Sequence, residues 1–192
     1  MARIVLFRSA LGLNQGMLDW ADRLRAEGHD VTTPDLFDGE VFDNVDDGVA
    51  KVDSVGMFEW ARRAAAAIAD VPPGRIYGGF SFGAGTAQVL AFDDPDAQGL
   101  LLLHGAIAPH WHDVPAWPSG LRAQLHYAER DPWVEAEEVD EITAFAEPGA
   151  LATYVYPGDG HLFGFADRPD YDAASDALMW ERVRDFVRSL GD

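Results

Sequence analysis

Short apolar segments rich in β-forming residues alternate along the chain with longer segments of helical period. This alternation predicts an α/β fold, in which a mostly parallel sheet is covered by helices on both faces. The segments that we predict as strands are residues 2–7, 29–33, 75–80, 99–104, 123–127 and 152–156. Because no linker or internal repeat interrupts this pattern, we expect residues 1–192 to form a single domain with a sheet of about six to seven strands.

Apolar residues in the longer segments recur at intervals of three and four positions. Met17, Trp20, Ala21 and Leu24 follow this spacing, and Gly28 is a typical helix stop. The segments that we predict as helices are residues 17–27, 58–69, 82–92, 136–146 and 172–190. The residues expected to dock the last helix on the sheet are Leu178, Val183, Phe186, Val187 and Leu190.

Two segments show neither the helical spacing nor the strand alternation of apolar residues. Residues 35–57 are acidic and contain glycines, and residues 106–120 contain three prolines and two tryptophans. Each follows a predicted strand, so both should leave the sheet at the carboxyl ends of the strands, where open α/β sheets bind their ligands. We therefore expect both segments to form walls of a pocket.

Composition removes several classes of function. The 192 residues include no cysteine, which excludes disulfides, cysteine-ligated zinc and a cysteine nucleophile. The net charge of −19 would repel phosphate backbones and anionic lipids, so we expect neither nucleic acid nor a membrane as a partner. No secretion signal or membrane-spanning segment is recognisable, and this predicts a soluble, cytoplasmic protein.

The sequence from Gly79 to Gly83 reads Gly-x-Ser-x-Gly and lies between a predicted strand and a predicted helix. Such an elbow holds its serine in a strained conformation and needs small neighbours, because strand and helix approach closely there. The Ser81 hydroxyl would then project above the sheet at the amino end of a helix. Five residues alone also fit an ordinary tight turn, so a catalytic role depends on a base and an acid further along the chain.

A candidate acid and a candidate base follow in the order that α/β-type serine hydrolases use. Asp131 lies just after one predicted strand, and His161 lies on a glycine-rich loop after the next. His161 would accept the proton of Ser81, and Asp131 would fix the imidazole tautomer. Glu129 and Asp159 are competing candidates for the acid, but Asp131 is favoured by its position directly after the turn that follows its strand.

The other histidines have less specific surroundings. We expect His29 at the surface, and His104 and His126 either at the pocket floor or, preferably, in packing roles with satisfied hydrogen bonds. Residues 110–113 read His-Trp-His-Asp, which suggests metal ligands, but no third ligand follows at a recognisable spacing. The elbow also lacks the glycine and lysine patterns of nucleotide-binding loops. No metal and no cofactor are therefore expected.

The chain resembles the dienelactone hydrolase family of α/β-hydrolases from residue 1 to about residue 190. The motifs that carry the resemblance are Ala21-Asp22-Arg23-Leu24, Glu27-Gly28-His29, Thr33-Pro34-Asp35-Leu36-Phe37, the elbow, Asp131-Pro132-Trp133, Tyr156-Pro157-Gly158 and Gly160-His161-Leu162-Phe163. The resemblance implies an α/β-hydrolase fold without a separate cap domain. It also implies Ser81, Asp131 and His161 as the catalytic residues and the backbone N–H groups of Phe82 and Ala10 as the oxyanion hole.

Three positions depart from the family members that cleave dienelactone. Those members have a cysteine in place of Ser81, a glutamate in place of Ser9, and a carboxylate-binding arginine in place of Phe165. A serine with histidine and aspartate is the general esterase arrangement. Efficient cleavage of dienelactone itself is therefore not expected.

These observations favour a serine hydrolase that acts on a small ester, thioester or lactone through an acyl-serine intermediate. Its apolar pocket is expected to be formed by aromatic residues, namely Phe80, Phe82, Trp111, Trp117, Phe163 and Phe165. One alternative is a catalytically idle scaffold that binds a ligand or a partner, because fold does not dictate function. Another is acyl transfer or perhydrolysis by the same three residues.

Overall fold

A six-stranded sheet forms the centre of the molecule. The computed structural model describes residues 1–111 and 114–191. The strands are β1 (Arg3–Phe7), β2 (Asp30–Thr32), β3 (Arg75–Phe80), β4 (Gly99–Leu103), β5 (Ala123–Ala128) and β6 (Leu151–Tyr156). All neighbours pair in parallel, in the order β2-β1-β3-β4-β5-β6. The predicted parallel sheet is confirmed, and each predicted strand begins and ends within one residue of an observed strand.

Six α-helices connect or follow the strands within the described residues. They are α1 (Gln15–Ala26), α2 (Val45–Val55), α3 (Met57–Ala67), α4 (Phe82–Asp93), α5 (Ala136–Phe145) and α6 (Ala173–Ser189), and a short 3-10 turn covers Pro109–Trp111. Five of the helices were predicted, with ends within two residues of those observed. Helix α2 was not predicted, and it lies inside the acidic segment 35–57.

The reason helix α2 escapes a hydrophobic-pattern analysis is that its buried face is very small. Only Gly48 and Val52 are buried in it. Local capping helps to define its start, because the Asn44 side chain accepts a hydrogen bond of 2.9 Å from the Asp47 backbone N–H. Asp46 and Asp47 also place negative charge in the first turn, where the helix dipole favours it.

Two apolar layers cover the two faces of the sheet. Along β1, Val5 and Phe7 belong to the layer that includes residues of α3, α4 and α5, whereas Ile4 and Leu6 belong to the layer that includes residues of α1 and α6. This alternation follows from the two-residue side-chain period of a strand. Helices therefore lie on both faces, as predicted, and no separate cap domain is present among the described residues.

Helix α6 docks on the sheet through a face that differs by one position from the predicted one. Met179, Val183, Phe186 and Val187 are buried. Leu178, which we expected in the core, is 42% exposed, because successive residues of an α-helix point about 100° apart and Met179 occupies the core-facing position. None of the described helices is long and apolar enough to cross a membrane.

The strand order places two loops of interest beside each other. From β1 the chain moves first to β2 on one side and then to β3 on the other side. The direction of the sheet topology therefore reverses at β1, and the carboxyl ends of β1 and β3 lie at the reversal point, where ligands of open α/β sheets bind. The loop that contains Ala10 follows β1, and Ser81 follows β3.

Candidate active site

Ser81 forms a strained turn between β3 and α4. Its backbone has φ 54° and ψ −117°, in a region that residues other than glycine rarely adopt. The Ser81 N–H donates to the Leu103 carbonyl at 2.7 Å, and the Ser81 carbonyl accepts from the Ala84 N–H at 2.8 Å. The end of β4 and the first turn of α4 thus hold the strained residue from both sides.

The two glycines of the elbow are required by close backbone contacts. A Cβ atom on Gly79 would lie 2.1 Å from the Gly83 carbonyl oxygen, and one on Gly83 would lie 2.3 Å from the Arg8 carbonyl oxygen. Both distances are far below van der Waals contact, so no side chain fits at either position. The Gly-x-Ser-x-Gly pattern therefore has a direct steric cause in this structure.

Ser81, His161 and Asp131 form one continuous series of hydrogen bonds. His161 Nε2 lies 2.7 Å from Ser81 Oγ, and His161 Nδ1 lies 2.9 Å from both carboxylate oxygens of Asp131. A carboxylate only accepts, so we assign the proton of the neutral imidazole to Nδ1, which leaves Nε2 free to accept the serine proton. Such an arrangement can activate a hydroxyl as a nucleophile, with the imidazole as base and the carboxylate as its orienting group.

The loop after β5 fixes the Asp131 carboxylate. The Asp131 side chain is 0% exposed, and its Oδ1 also accepts a hydrogen bond of 2.9 Å from the Trp133 backbone N–H. By contrast, the Glu129 side chain is 63% exposed, and Asp159 also lies at the surface. Of the three acids considered from the sequence, the structure brings only Asp131 to His161.

Two backbone N–H groups, those of Phe82 and Ala10, are candidate donors to an oxyanion. Phe82 is the first residue of α4, and Ala10 lies in the loop after β1, against which the first turn of α4 packs. Among the described residues, neither the Ala10 nor the Phe82 backbone N–H donates a hydrogen bond to a protein acceptor. Both donors are therefore free for an oxygen that develops negative charge.

Four aromatic residues predicted to form the pocket instead lie in the core. Phe80, Phe163 and Phe165 are at most 2% exposed and surround the ring of His104. Trp117 lies in the other apolar layer, where it packs on the Phe92 ring with centroids 5.2 Å apart. Aromatic side chains offer the largest apolar area for burial, and here that area fills the interior. Their assignment to a pocket wall is corrected accordingly.

Phe82 and Trp111 have different environments. The Phe82 side chain packs beside Phe37 and Trp60 and is nearly buried, so it too belongs mainly to the core. Trp111 is 52% exposed and lines an open cavity. The cavity has a volume of about 260 Å³, and its lining consists of Asp53, Met57, Phe58, Ile107 and Trp111.

Of the five residues that line this cavity, Trp111 was named individually from the sequence, whereas the others were not. Asp53 and Met57 belong to residues 35–57, and Ile107 and Trp111 belong to residues 106–120. These are the two segments without clear period that were expected to form pocket walls. Phe58, the first residue of a predicted helix, is the one lining residue outside these segments. Its side chain is 65% exposed although it is apolar, and a periodic pattern does not predict such exposure.

His104 differs from expectation because both of its ring nitrogens are buried without a hydrogen-bond partner among the described residues. Burial, with smaller contributions from His161 and His126, lowers the pKa of His104 well below its usual range. His126 does have the predicted hydrogen bonds, to Tyr156 at 2.8 Å and to Gln124 at 3.1 Å. Burial lowers the pKa of His126 to about 3, with a smaller effect from a nearby arginine.

A buried cation lies at the start of the loop that contains Ala10. Arg8 is 1% exposed, and none of its guanidinium nitrogens has a hydrogen-bond partner among the described residues. The guanidinium carbon lies 3.0 Å from the centre of the Phe37 ring. Burial lowers the pKa of Arg8 to about 9, and Asp35 partly opposes this effect. Arg8 therefore remains charged at neutral pH, stabilised by an aromatic face rather than by a carboxylate in contact.

The possible metal ligands between residues 110 and 113 lie partly outside the described residues. His112 and Asp113 belong to that part. His110 is described, and its Nδ1 lies 2.8 Å from a carboxylate oxygen of Glu141. Among residues 1–111 and 114–191, no group of three or more histidine, aspartate or glutamate side chains is arranged to hold a metal ion.

Comparisons with known proteins agree with this architecture. A model of the dienelactone hydrolase family matches residues 1–191. A comparison with curated proteins gives no match.

Solved structures share the fold at low sequence identity. A dienelactone hydrolase-like promiscuous phosphotriesterase from metagenomic libraries superposes with a TM-score of 0.80 at 21% identity, covering 99% of this chain and 87% of that chain. Mouse alpha/beta hydrolase domain-containing protein 10 gives a TM-score of 0.70 at 14% identity, covering 98% and 90%. The thioesterase domain from the curacin biosynthetic pathway gives 0.62 at 14% identity, covering 92% and 88%.

Proposed function

The chain belongs to the dienelactone hydrolase family, and from this premise we propose that it is a serine hydrolase that cleaves a small ester, thioester or lactone. The observation that carries the proposal is the series of hydrogen bonds from Ser81 Oγ through His161 to the buried Asp131 carboxylate. A serine without a catalytic role is not expected to be hydrogen-bonded to a histidine that is itself hydrogen-bonded to a buried carboxylate. For acyl transfer, each of the three groups has a defined role.

Acylation begins when Ser81 Oγ attacks the carbonyl carbon of the substrate. His161 Nε2 accepts the serine proton, and the Asp131 carboxylate stabilises the imidazolium that forms. The backbone N–H groups of Phe82 and Ala10 donate to the oxyanion of the tetrahedral intermediate. When the intermediate collapses, the C–O or C–S bond to the leaving group breaks, and His161 returns the proton to that group.

Deacylation repeats the same steps with water as the nucleophile. His161 accepts a proton from water, the resulting hydroxide attacks the acyl-serine carbonyl, and collapse returns the proton to Ser81 Oγ. The strained elbow supports both halves of the reaction, because it presents the hydroxyl at the amino end of α4.

Dienelactone is proposed to be a poor substrate. It carries a carboxylate, and Phe165, which takes the position of the family's carboxylate-binding arginine, is fully buried in an apolar cluster. Loss of a charge-assisted hydrogen bond of about 1.5–3 kcal/mol lowers kcat/KM by about one to two powers of ten. A value for dienelactone above that for p-nitrophenyl acetate would contradict this expectation.

Covalent labelling tests the proposed function. A fluorophosphonate probe should add once to the protein, at Ser81, and intact-mass measurement with peptide mapping reports the adduct. Ser81→Ala should abolish labelling, whereas Ser119→Ala, at an exposed serine away from the elbow, should not. Absence of an adduct on the wild-type protein, or an adduct that persists in Ser81→Ala, would overturn the proposal.

A further inference from the structure

Helix α4 connects the cavity lined by Trp111 to the serine. Gly85 lies one helical turn after Ser81, and its N–H contacts the Ser81 carbonyl at 3.4 Å. A Cβ atom on Gly85 would lie 2.9 Å from Ile107 Cγ2 and 3.2 Å from Met57 Cε. Since one turn of helix rises about 5.4 Å, these two side chains meet α4 one helical turn beyond the residue that carries the nucleophile.

The wall near α4 is held in place rather than loosely attached. The Ile107 carbonyl accepts from the Gln88 side-chain amide at 2.8 Å, and the Ile107 N–H donates to the oxygen of the same amide at 3.1 Å. On the opposite side, Met57 is the first residue of α3 and follows directly on Gly56, which has φ 90° and ends α2. The two predicted pocket segments therefore meet across α4.

The side chains that line the cavity are apolar, with the exception of one carboxylate. Four of its five residues, namely Met57, Phe58, Ile107 and Trp111, present apolar side chains. The fifth is Asp53, whose side chain has no hydrogen bond or ion pair with another described residue. Asp53 lies in the last turn of α2, where no basic residue offsets the negative end of the helix dipole. The rim of the cavity is therefore electronegative, and its interior is apolar.

We propose that this cavity binds the acyl group of the substrate, that it selects a short, uncharged aliphatic chain, and that Asp53 disfavours chains that end in a carboxylate. The proposal rests on the proposed function, because it takes Ser81 as the nucleophile. The volume of about 260 Å³ is slightly below the usual lower bound for pockets that enclose drug-sized ligands, so it suits a small group. Apolar contact with the lining favours each added methylene until the cavity is full.

A series of p-nitrophenyl esters from acetate to octanoate tests the size selection. In the wild-type protein, kcat/KM should rise by up to about fourfold for each methylene over the first few carbons and then level off or fall. In Ile107→Trp, which fills the cavity, the ratio of kcat/KM for hexanoate to that for acetate should fall at least tenfold. Leu178→Trp is the matched control, because Leu178 is half-exposed on α6, on the other face of the sheet.

A pair of esters of similar length tests the charge selection. The ratio of kcat/KM for p-nitrophenyl butyrate to that for the mono-p-nitrophenyl ester of succinate should fall about threefold to fivefold in Asp53→Asn, the range expected for two charges a few ångströms apart in water. Asp140→Asn removes one surface charge from α5 and should leave this ratio unchanged.

These measurements separate the pocket from the mechanism. If Ser81 is labelled and esters are hydrolysed, but Ile107→Trp keeps the wild-type chain-length profile, the acyl-pocket proposal is overturned and the proposed function is retained. An equal change in Leu178→Trp also overturns it. If Asp53→Asn leaves the charge ratio unchanged, the role of Asp53 is overturned. Absence of labelling at Ser81 overturns the function and, with it, the pocket.

Discussion

Asp131 is the residue whose role can be separated most sharply from that of its neighbours. Asp131→Asn should lower kcat by up to about 10⁴, because an amide favours the wrong imidazole tautomer of His161. Glu129→Gln and Asp159→Asn remove exposed carboxylates, which water and salt screen, and each should change kcat only slightly. Assays of the three variants on one ester, with thermal melts, separate lost chemistry from misfolding. Loss of activity in Asp159→Asn with activity retained in Asp131→Asn would reverse the assignment of the acid.

The buried histidines predict a pH dependence of stability. The folded-state pKa of His126 is lowered to about 3, whereas a histidine in the unfolded chain titrates near its usual value of about 6.5. Below that value the unfolded chain binds more protons, so the free energy of unfolding falls as the pH is lowered toward 3. The slope is at most about 1.4 kcal/mol per pH unit for each such histidine, and His104 acts in the same direction.

Chemical denaturation between pH 7 and pH 5 measures this slope. His126→Gln keeps a polar group beside Tyr156 and Gln124 but removes the titration, so its free energy of unfolding should depend less steeply on pH below 6.5 than that of the wild type. Equal slopes in both proteins would show that His126 does not contribute.

The proposed catalytic residues were more predictable than the residues that fill the core. Ser81, Asp131 and His161 each follow a strand in a recognisable order, and the structure brings them into contact. Phe80 and Trp117 illustrate the opposite case: an aromatic residue after a strand can face a pocket or the core, and sequence alone does not give its direction. The ring of His104, which has no hydrogen-bond partner in the described part of the chain, likewise depends on long-range packing that no local pattern encodes.

At the level of elements, we compare a glycine in close backbone contact, Gly79, with a glycine in open space, Gly28. Gly79→Ala would place a methyl group 2.1 Å from the Gly83 carbonyl oxygen, so strand and helix would have to separate. Gly28→Ala meets no atom within 4 Å and has only the cost of its φ of 87°, about 1–2 kcal/mol. Gly79→Ala should therefore be much less stable than Gly28→Ala and should lose labelling of Ser81.

Equilibrium unfolding of both variants, with fluorophosphonate labelling, tests the comparison. If Gly79→Ala were as stable and as reactive as Gly28→Ala, the close approach of strand and helix at the elbow would not be needed.

Elements were predictable where their apolar pattern was strong. The strands and five helices carry apolar residues in recognisable patterns, and their ends were found within one or two residues. Helix α2 buries only one apolar side chain, that of Val52, beside Gly48, so periodicity gave no signal there. Its capping residues, Asn44 and the two aspartates that follow Val45, were the available signal, because their side chains stabilise a helix start regardless of burial.

For the whole molecule, the dominant long-range property is its net charge of −19. Like charges repel one another in the compact state, and this repulsion is screened as the Debye length falls from about 30 Å at 0.01 M salt to about 10 Å at 0.1 M. The melting temperature at pH 7 should therefore rise when sodium chloride is added over this range. The rise should shrink near pH 4.4, the isoelectric point of the sequence, where the net charge is close to zero. A melting temperature that is independent of salt at pH 7 would contradict this expectation.

The spread of the site along the chain has a consequence for how activity is acquired during folding. The proposed oxyanion donors follow β1 and β3, Asp131 follows β5, and His161 follows β6. Within the described part of the chain, β6 pairs only with β5, at the edge of the sheet. Parallel pairing between distant segments forms slowly, and a chain under synthesis folds from its amino end. A nascent chain should therefore contain most of the sheet before it can react with any probe. In refolding from denaturant, labelling of Ser81 should lag behind the recovery of helical circular dichroism, so that the probe reports the arrival of the last strand.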